Sequence, residues 1–508
     1  MSSNSEIKKG AFFSYVAVIV NTIAVFLYTP WMINQIGAAD YGLYSLALSL
    51  VGFFLFDFGL ASVVSRYISL YRAKKQPEEI SKLLGIVAKI YILIDLIVLI
   101  VLLFIYFNIE KIYVEMSLAE IEKLKRIFLI IMGFSLLSFP LIPVSDIYIG
   151  YERFANIKIF NFVGKITTIL TIILALCFGG GVYILVLVNM ISNLVIKLAE
   201  FVYIKKKEKF RINIGYYDSE YTKKIFCFSI WITIIGISQR LIININPSII
   251  GALSGAIEVS IFSVGASIEG HVWSFANAIN GLFLPKVTRI SVSENPIKEL
   301  DELMIRVGRI QLIVVGGIIT GLLALGREFV FVWMGEEFLK SYYVSLCLIL
   351  PGFITLTQEV AMSYLIAINE VKWRAIDFVG TAVISLLLSV CLSPKYGALG
   401  AAMAVFIGLT LGHVVFMNII YVKRFKMGMI AFFKECHLKF LPVMIIMILA
   451  GILMQRFLPV GGFLIFFSKA AVWGIIYLVL VWIAFLNQYE KNFFKNILRP
   501  IISRLKRG

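Results

Sequence analysis

Charge is what this 508-residue chain has least of. Asp, Glu, Lys and Arg make up only 15% of it, where a soluble protein carries about a quarter. So few charges cannot coat a water-facing surface of this size. Histidine stops at 3 residues and cysteine at 5. Cys177, Cys227, Cys347 and Cys391 lie in or beside apolar runs, and Cys436 sits in a predicted loop next to His437. None forms a spaced pair, which excludes a disulfide framework and a zinc site. No GxxxxGK[ST] loop occurs, so ATP hydrolysis in cis is not expected.

What fills the chain instead is apolar sequence. Hydrophobic residues account for 60% of it, and its mean hydropathy is +0.94. Apolar runs of roughly 20 residues, the length that crosses a bilayer core as a helix, follow one another almost without pause. The pattern predicts an all-α polytopic membrane protein with about fourteen transmembrane helices. The predicted spans are 11–34, 41–65, 83–107, 127–150, 159–178, 182–204, 225–250, 259–284, 310–333, 343–368, 376–392, 398–422, 440–456 and 463–487. The first run is too long for a signal peptide and leads straight into the second.

The formal charge of +17 invites a nucleic-acid reading, but its distribution argues against one. With the amino terminus placed in the cytoplasm, the predicted inner segments hold 34 Lys and Arg and the outer segments hold 7. That is the positive-inside pattern, with an even number of spans and both termini cytoplasmic. "KKKEKFR" at 205–211 and the basic tail then serve topology and contact with anionic membrane lipid, and no nucleic acid is expected.

The chain repeats itself. "GAADYGLYSLALSL" at 37–50 and "GAIEVSIFSVGASI" at 255–268 share Gly-Ala, an acid at the fourth place and a matching run of Leu/Ile, aromatic and Ser residues. "YIKKK" at 203–207 and "YVKRF" at 421–425 recur at the same offset, and "ERFANIKIFNFVG" at 152–164 resembles "EVKWRAIDFVG" at 370–380 with a short slip. The expected division is 1–222 for an N-lobe with spans 1–6, 223–424 for a C-lobe with spans 7–12, and 425–508 for spans 13–14 with the basic tail. Two halves that enter the membrane in the same direction form a parallel repeat, with a substrate site expected between them.

Ionisable residues within spans cost on the order of 3 kcal/mol and normally face a partner or a wet cavity. Lys89, Asp146, Glu200 and Asp377 lie near predicted span ends, where snorkelling suffices. Lys197 and Glu200 are three apart on one helix and can pair. Lys469 reads as an anchor for the last pair of spans, and Arg327 sits with Glu328 near an outer end. Arg240 lies mid-span, and Lys165 lies one to two turns into the fifth span beside Asn161. Facing a cavity, Arg240, Lys165 and Lys197 form a cationic site for a phosphate or pyrophosphate. Glu269, His271, Glu359 and Asp95 are the candidates for ion or proton coupling. An internal salt bridge of Glu269 with Arg240 is the structural alternative.

"IGAADYGLYSLALSLVGFFLFDFGLASVVSRYIS", "LSGAIEVSIFSVGASI", "FLPKVTRIS" and "YGALGAAMAVFIGLTLGHVVFMNIIYVKRF" together resemble the Wzx-type polysaccharide repeat-unit flippases for O-antigen and capsule, in the MATE-like MOP transporter superfamily. The resemblance covers the whole chain. It implies two six-helix lobes plus two C-terminal helices around a V-shaped cationic cavity. It also implies a transporter rather than an enzyme, in the bacterial cytoplasmic (inner) membrane. The implied substrate is a polyprenyl-pyrophosphate-linked oligosaccharide, moved from the inner to the outer leaflet by alternating access. No cofactor is implied; H+ or Na+ is the expected coupling ion, and polysaccharide polymerase machinery is an expected partner. Where many relatives carry an Asp followed by a basic residue before "IIG", this chain has Asn246-Pro247.

Three other readings compete. A MATE-like small-molecule exporter would prefer an acidic cavity, which Arg240 and Lys165 disfavour. A membrane glycan polymerase needs a sizeable external loop with catalytic groups. The longest predicted one, 108–126, has balanced charge and no metal-binding cluster. A flippase for a peptidoglycan or teichoic-acid lipid precursor fits the same features.

Overall fold

In the computed structural model residues 3–54, 59–280, 284–458, 461–488, 490–492 and 495 are described. Asp57, part of "FLPKVTRIS" and the basic tail from 496 onward lie outside them. The described residues are mostly helical, with no strand among them. In chain order the helices are α1 Ser3–Ile36, α2 Ala38–Phe54, α3 Leu60–Ala73, α4 Pro77–Ile112, α5 Leu118–Ser138, α6 Val144–Gly150, α7 Phe154–Cys177 and α8 Val182–Glu208. Then come α9 Ser219–Ile243, α10 Asn246–Asn280, α11 Leu284–Ile290, α12 Pro296–Gln311, α13 Gly317–Met334, α14 Leu339–Ile349, α15 Gly352–Thr355 and α16 Glu359–Ala367. The last are α17 Lys372–Tyr396, α18 Ala398–Leu409, α19 Met417–Lys423, α20 Met429–Phe433, α21 Lys439–Phe457 and α22 Phe463–Leu480.

Among the described residues, ten stretches are long and apolar enough to cross a membrane, or twelve when two bent pairs each count as one span. The fourteen expected from sequence are not confirmed, and the difference sits at two places. Spans 11–34 and 41–65 meet in a single bent pair, turned through 117° at Gly37. Spans 225–250 and 259–284 run together as Ile230–Ala276, broken at the turn between α9 and α10 and at the non-helical backbone of Gly255. The lipid-crossing character is plain in α4. Its buried side includes Leu83, Val87, Val98 and Leu102, and its outer side shows Leu93, Ile97, Ile100, Phe104 and Phe107. A helix apolar on all sides belongs in a bilayer or a deep core.

The duplication is written into the backbone. Left-handed residues interrupt the helices at Gly37, Glu152, Gly179 and Lys209, and again at Gly255, Asn369, Gly397 and Lys426. Each member of the second set lies 217 or 218 residues after its counterpart. The sequence match at 37 and 255 thus marks a shared break: a glycine whose positive φ, 87° in one and 81° in the other, ends one helical segment and aims the next.

The chain packs as two compact units. The first holds Met1–Ser274, Tyr343–Leu348 and Glu370–Met417, and the second Phe275–Tyr342, Ile349–Asn369 and Asn418–Gly508. Within the first, α2 and α10 touch so closely that a Cβ on Gly42 would fall on the Ala256 carbonyl. Within the second, the last two spans are held by charge. Lys469 on α22 donates to Glu328 on α13 at 2.7 Å, with both side chains buried. Arg309 on α12 forks onto Glu490 at 2.6 and 2.9 Å and also donates to the carbonyls of Phe485 and Glu435.

Candidate functional site

In the first unit a cleft of about 460 Å³ opens among α1, α7 and α8. Helical spacing builds its walls. Lys158, Asn161 and Lys165 recur at three and four residues on α7, Asn189, Asn193 and Lys197 at four on α8, and Asn21, Val25 and Tyr28 line it from α1. Residues at these intervals share one helix face, so each helix turns a polar stripe inward. Asn193 donates to Asn189 at 2.6 Å, which donates to the Tyr44 hydroxyl at 2.6 Å, so a residue of the opening repeat supports the wall.

The charge balance of the cleft is positive. Lys197 donates to Glu200 at 2.7 Å and to the Ser145 hydroxyl at 3.1 Å, as its helical spacing predicts. Lys158 and Lys165 have no hydrogen bond or ion pair among the described residues. Three ammonium groups therefore face one carboxylate, and two of them are free to bind an anion. Lys158 escaped the sequence reading because it falls in a predicted cytoplasmic segment, where a basic residue carries no signal beyond topology.

The other sequence candidates are dispersed. Arg240, in the last turn of α9, is absent from the cleft lining and reaches Asn244 Oδ1 at 3.4 Å. No ion pair joins it to Glu269 among the described residues, so the alternative of a salt bridge between them is not seen there. His271 on α10 shares a 3.0 Å hydrogen bond with Thr22 and packs on Phe26, both on the face of α1 next to the one lining the cleft. Glu269 is half-buried with no polar partner among the described residues. Two residues apart on one helix, it and His271 point different ways. Asp95 is buried on α4, and Glu359 opens α16 in the second unit. Asp377 corrects the sequence reading. Expected to snorkel at a span end, it is 2% exposed and faces His413, a residue the sequence reading passed over.

Residues 7–291, more than half of the chain, match the family described as polysaccharide biosynthesis protein. The chain belongs to that family. A candidate O-antigen transporter of Shigella flexneri is 22% identical over 382 residues, 74% of this chain and 88% of that one. Among solved structures, the lipid II flippase MurJ in an inward closed conformation covers 97% of this chain and 98% of its own, at 17% identity and a TM-score of 0.66. An inward-facing multidrug resistance MATE transporter of the MOP superfamily covers 82% and 94%, at 14% identity and a TM-score of 0.57. The fold is thus the one that MurJ and the MATE transporters share.

Proposed function

We propose that this chain is a flippase that carries a polyprenyl-pyrophosphate-linked oligosaccharide from the inner to the outer leaflet of a bacterial cytoplasmic membrane. Transport proceeds by alternating access and is coupled to an ion gradient. The observation that carries the reading is the cleft with unpaired Lys158 and Lys165 beside Lys197, in a chain of a polysaccharide biosynthesis family. A pyrophosphate needs cationic partners in a low-dielectric setting, and ammonium groups supply them as point charges. The neighbouring asparagines suit sugar hydroxyls, which need both donors and acceptors. Basic loops face the cytoplasm in this reading, with both termini on that side.

A second substrate has a specific observation behind it. The likeness to MurJ runs over 97% of the chain, and the likeness to the MATE transporter over 82%. That favours a lipid-linked cargo over a small-molecule drug and keeps a peptidoglycan-type lipid precursor as the alternative. Deleting the gene separates the two. Accumulation of an undecaprenyl-linked surface-glycan precursor on the inner leaflet supports the first reading. Accumulation of the peptidoglycan precursor supports the second. Normal surface glycan and no accumulated precursor, in a strain without a redundant flippase, overturn both.

A further inference from the structure

Helix α17 is built inside out for a membrane helix. Asp377, Thr381, Ser385, Ser389 and Ser393 follow one another at intervals of four, and every one is buried. Val379, Val383, Leu387 and Val390 are exposed on the other faces. A spacing of four keeps the polar side chains on one face, and sixteen residues of helix span about 24 Å. The polar row therefore runs most of the way across a hydrocarbon core of about 30 Å.

Small polar residues in such a row also let helices approach closely, and Ser385 does meet Gly408 of α18. Close packing does not account for the end of the row. There His413 Nδ1 lies 2.7 Å from Asp377 Oδ2, with the two residues 8% and 2% exposed. Thr381 Oγ1 stands 3.5 Å from both the Asp377 carboxylate and the His413 ring. His413 sits in a π-helical stretch, Thr410–Phe416, a local widening that recurs at functional positions. The Phe378 ring lies 4.5 Å from the imidazole and Arg374 lies over that ring. The other charged residues of the packed helices are Lys372 and Lys395 on α17, Glu220, Lys223, Lys224 and Arg240 on α9, and Glu258 and Glu269 on α10. Further along, Ser389 donates to Asn246 Oδ1 at 2.9 Å and Ser254 donates to the Ser393 carbonyl at 2.9 Å. The Ser385 and Ser393 hydroxyls are buried without a hydrogen-bond partner among the described residues.

Asp377 Oδ2 has no hydrogen-bond partner among the described residues although His413 Nδ1 lies 2.7 Å away, so two titratable groups meet there as a buried ion-pair contact. We propose that His413 and Asp377 form a proton-binding site at one end of the polar row of α17. With His413 neutral, the pair carries one net negative charge. One proton taken from water by the imidazole converts it into an imidazolium–carboxylate pair with no net charge, and its return to water restores the first state. A buried pair without net charge is less costly than a buried lone carboxylate.

The use of this proton to drive export rests on the flippase reading, whereas the site itself is testable without it. The full chain, labelled with 15N-histidine and reconstituted in phosphatidylethanolamine–phosphatidylglycerol vesicles, has three imidazoles, and His413→Asn identifies one. We expect that imidazole to gain one proton between pH 9 and pH 5, with Asp377→Asn shifting its midpoint tenfold or more in proton concentration. In cells, Asp377→Asn and His413→Asn lower glycan export at least tenfold at native membrane abundance. A His413 imidazole that binds no proton over this range overturns the site. A titrating His413 with undiminished export in Asp377→Asn overturns its role in coupling. No glycan export by the native chain, with His413 still titrating, sinks the flippase reading and leaves the proton site standing.

Discussion

At the scale of single residues, a cation in an apolar run is conspicuous because its burial is expensive. That is why Lys165 and Lys197 were legible in the sequence and lie together in the cleft. His413 was not legible. It sits in the bland string "LTLGHVVF", and its partner lies 36 residues away on another helix, so nothing local announces the pair. Lys158 and Lys165 have no competing carboxylate of their own, so their removal should be felt by the cargo. Losing a hydrogen bond to a charged group costs about 1.5–3 kcal/mol, roughly tenfold or more in an equilibrium. Lys165→Ala is therefore expected to lower glycan export about tenfold without changing membrane abundance, and Lys165→Glu to abolish it. Arg240→Ala, outside the cleft, is expected to change export less than threefold. Equal losses in the two alanine variants would remove the cleft from the substrate path.

At the scale of elements, the repeat in the sequence was legible as a match of residue types, while its physical content was not. Gly-Ala at 37 and 255 stood out as part of a repeated string, and the structure gives its cause: a left-handed glycine at each place. The difference in span count traces to those two positions, since hydropathy registers apolar length and is blind to a bend made by one residue. Gly37 and Gly42 separate the two uses of glycine. A Cβ on Gly37 meets nothing within 4 Å, so Gly37→Ala pays only for its left-handed backbone, about 1–2 kcal/mol. A Cβ on Gly42 would fall on the Ala256 carbonyl, and backbone cannot swing aside as a side chain can. Gly37→Ala is expected to reach the membrane in near-native amount with a slightly lower Tm. Gly42→Ala is expected to lose most of its abundance, because α2 can no longer lie against α10. A Gly42→Ala chain with native Tm would show that the two helices separate at no cost.

At the scale of the whole molecule, the question is what the appended spans do for the rest of the chain. Stripping helices from a membrane protein exposes apolar faces to lipid, which is nearly free because lipid tails are as apolar as the helices they replace. The cost lies with charge. Arg309 has all its recorded partners, Glu490, Phe485 and Glu435, beyond residue 424, and Glu328 is paired with Lys469. Removing one member of a buried ion pair costs about 3–5 kcal/mol, a large share of the 5–15 kcal/mol by which proteins are typically stable. A chain ending at residue 424 is therefore expected to vanish from membranes. The same truncation carrying Arg309→Leu and Glu328→Leu has neither of these two orphaned charges left and should accumulate again, in part, as read by quantitative blotting of membrane fractions. The full-length Glu490→Gln chain should show the intermediate effect, a lowered Tm with the chain still present, since the amide still accepts one bond from Arg309. If the doubly substituted truncation stays as scarce as the unsubstituted one, apolar packing rather than these two ion pairs holds the last spans in place.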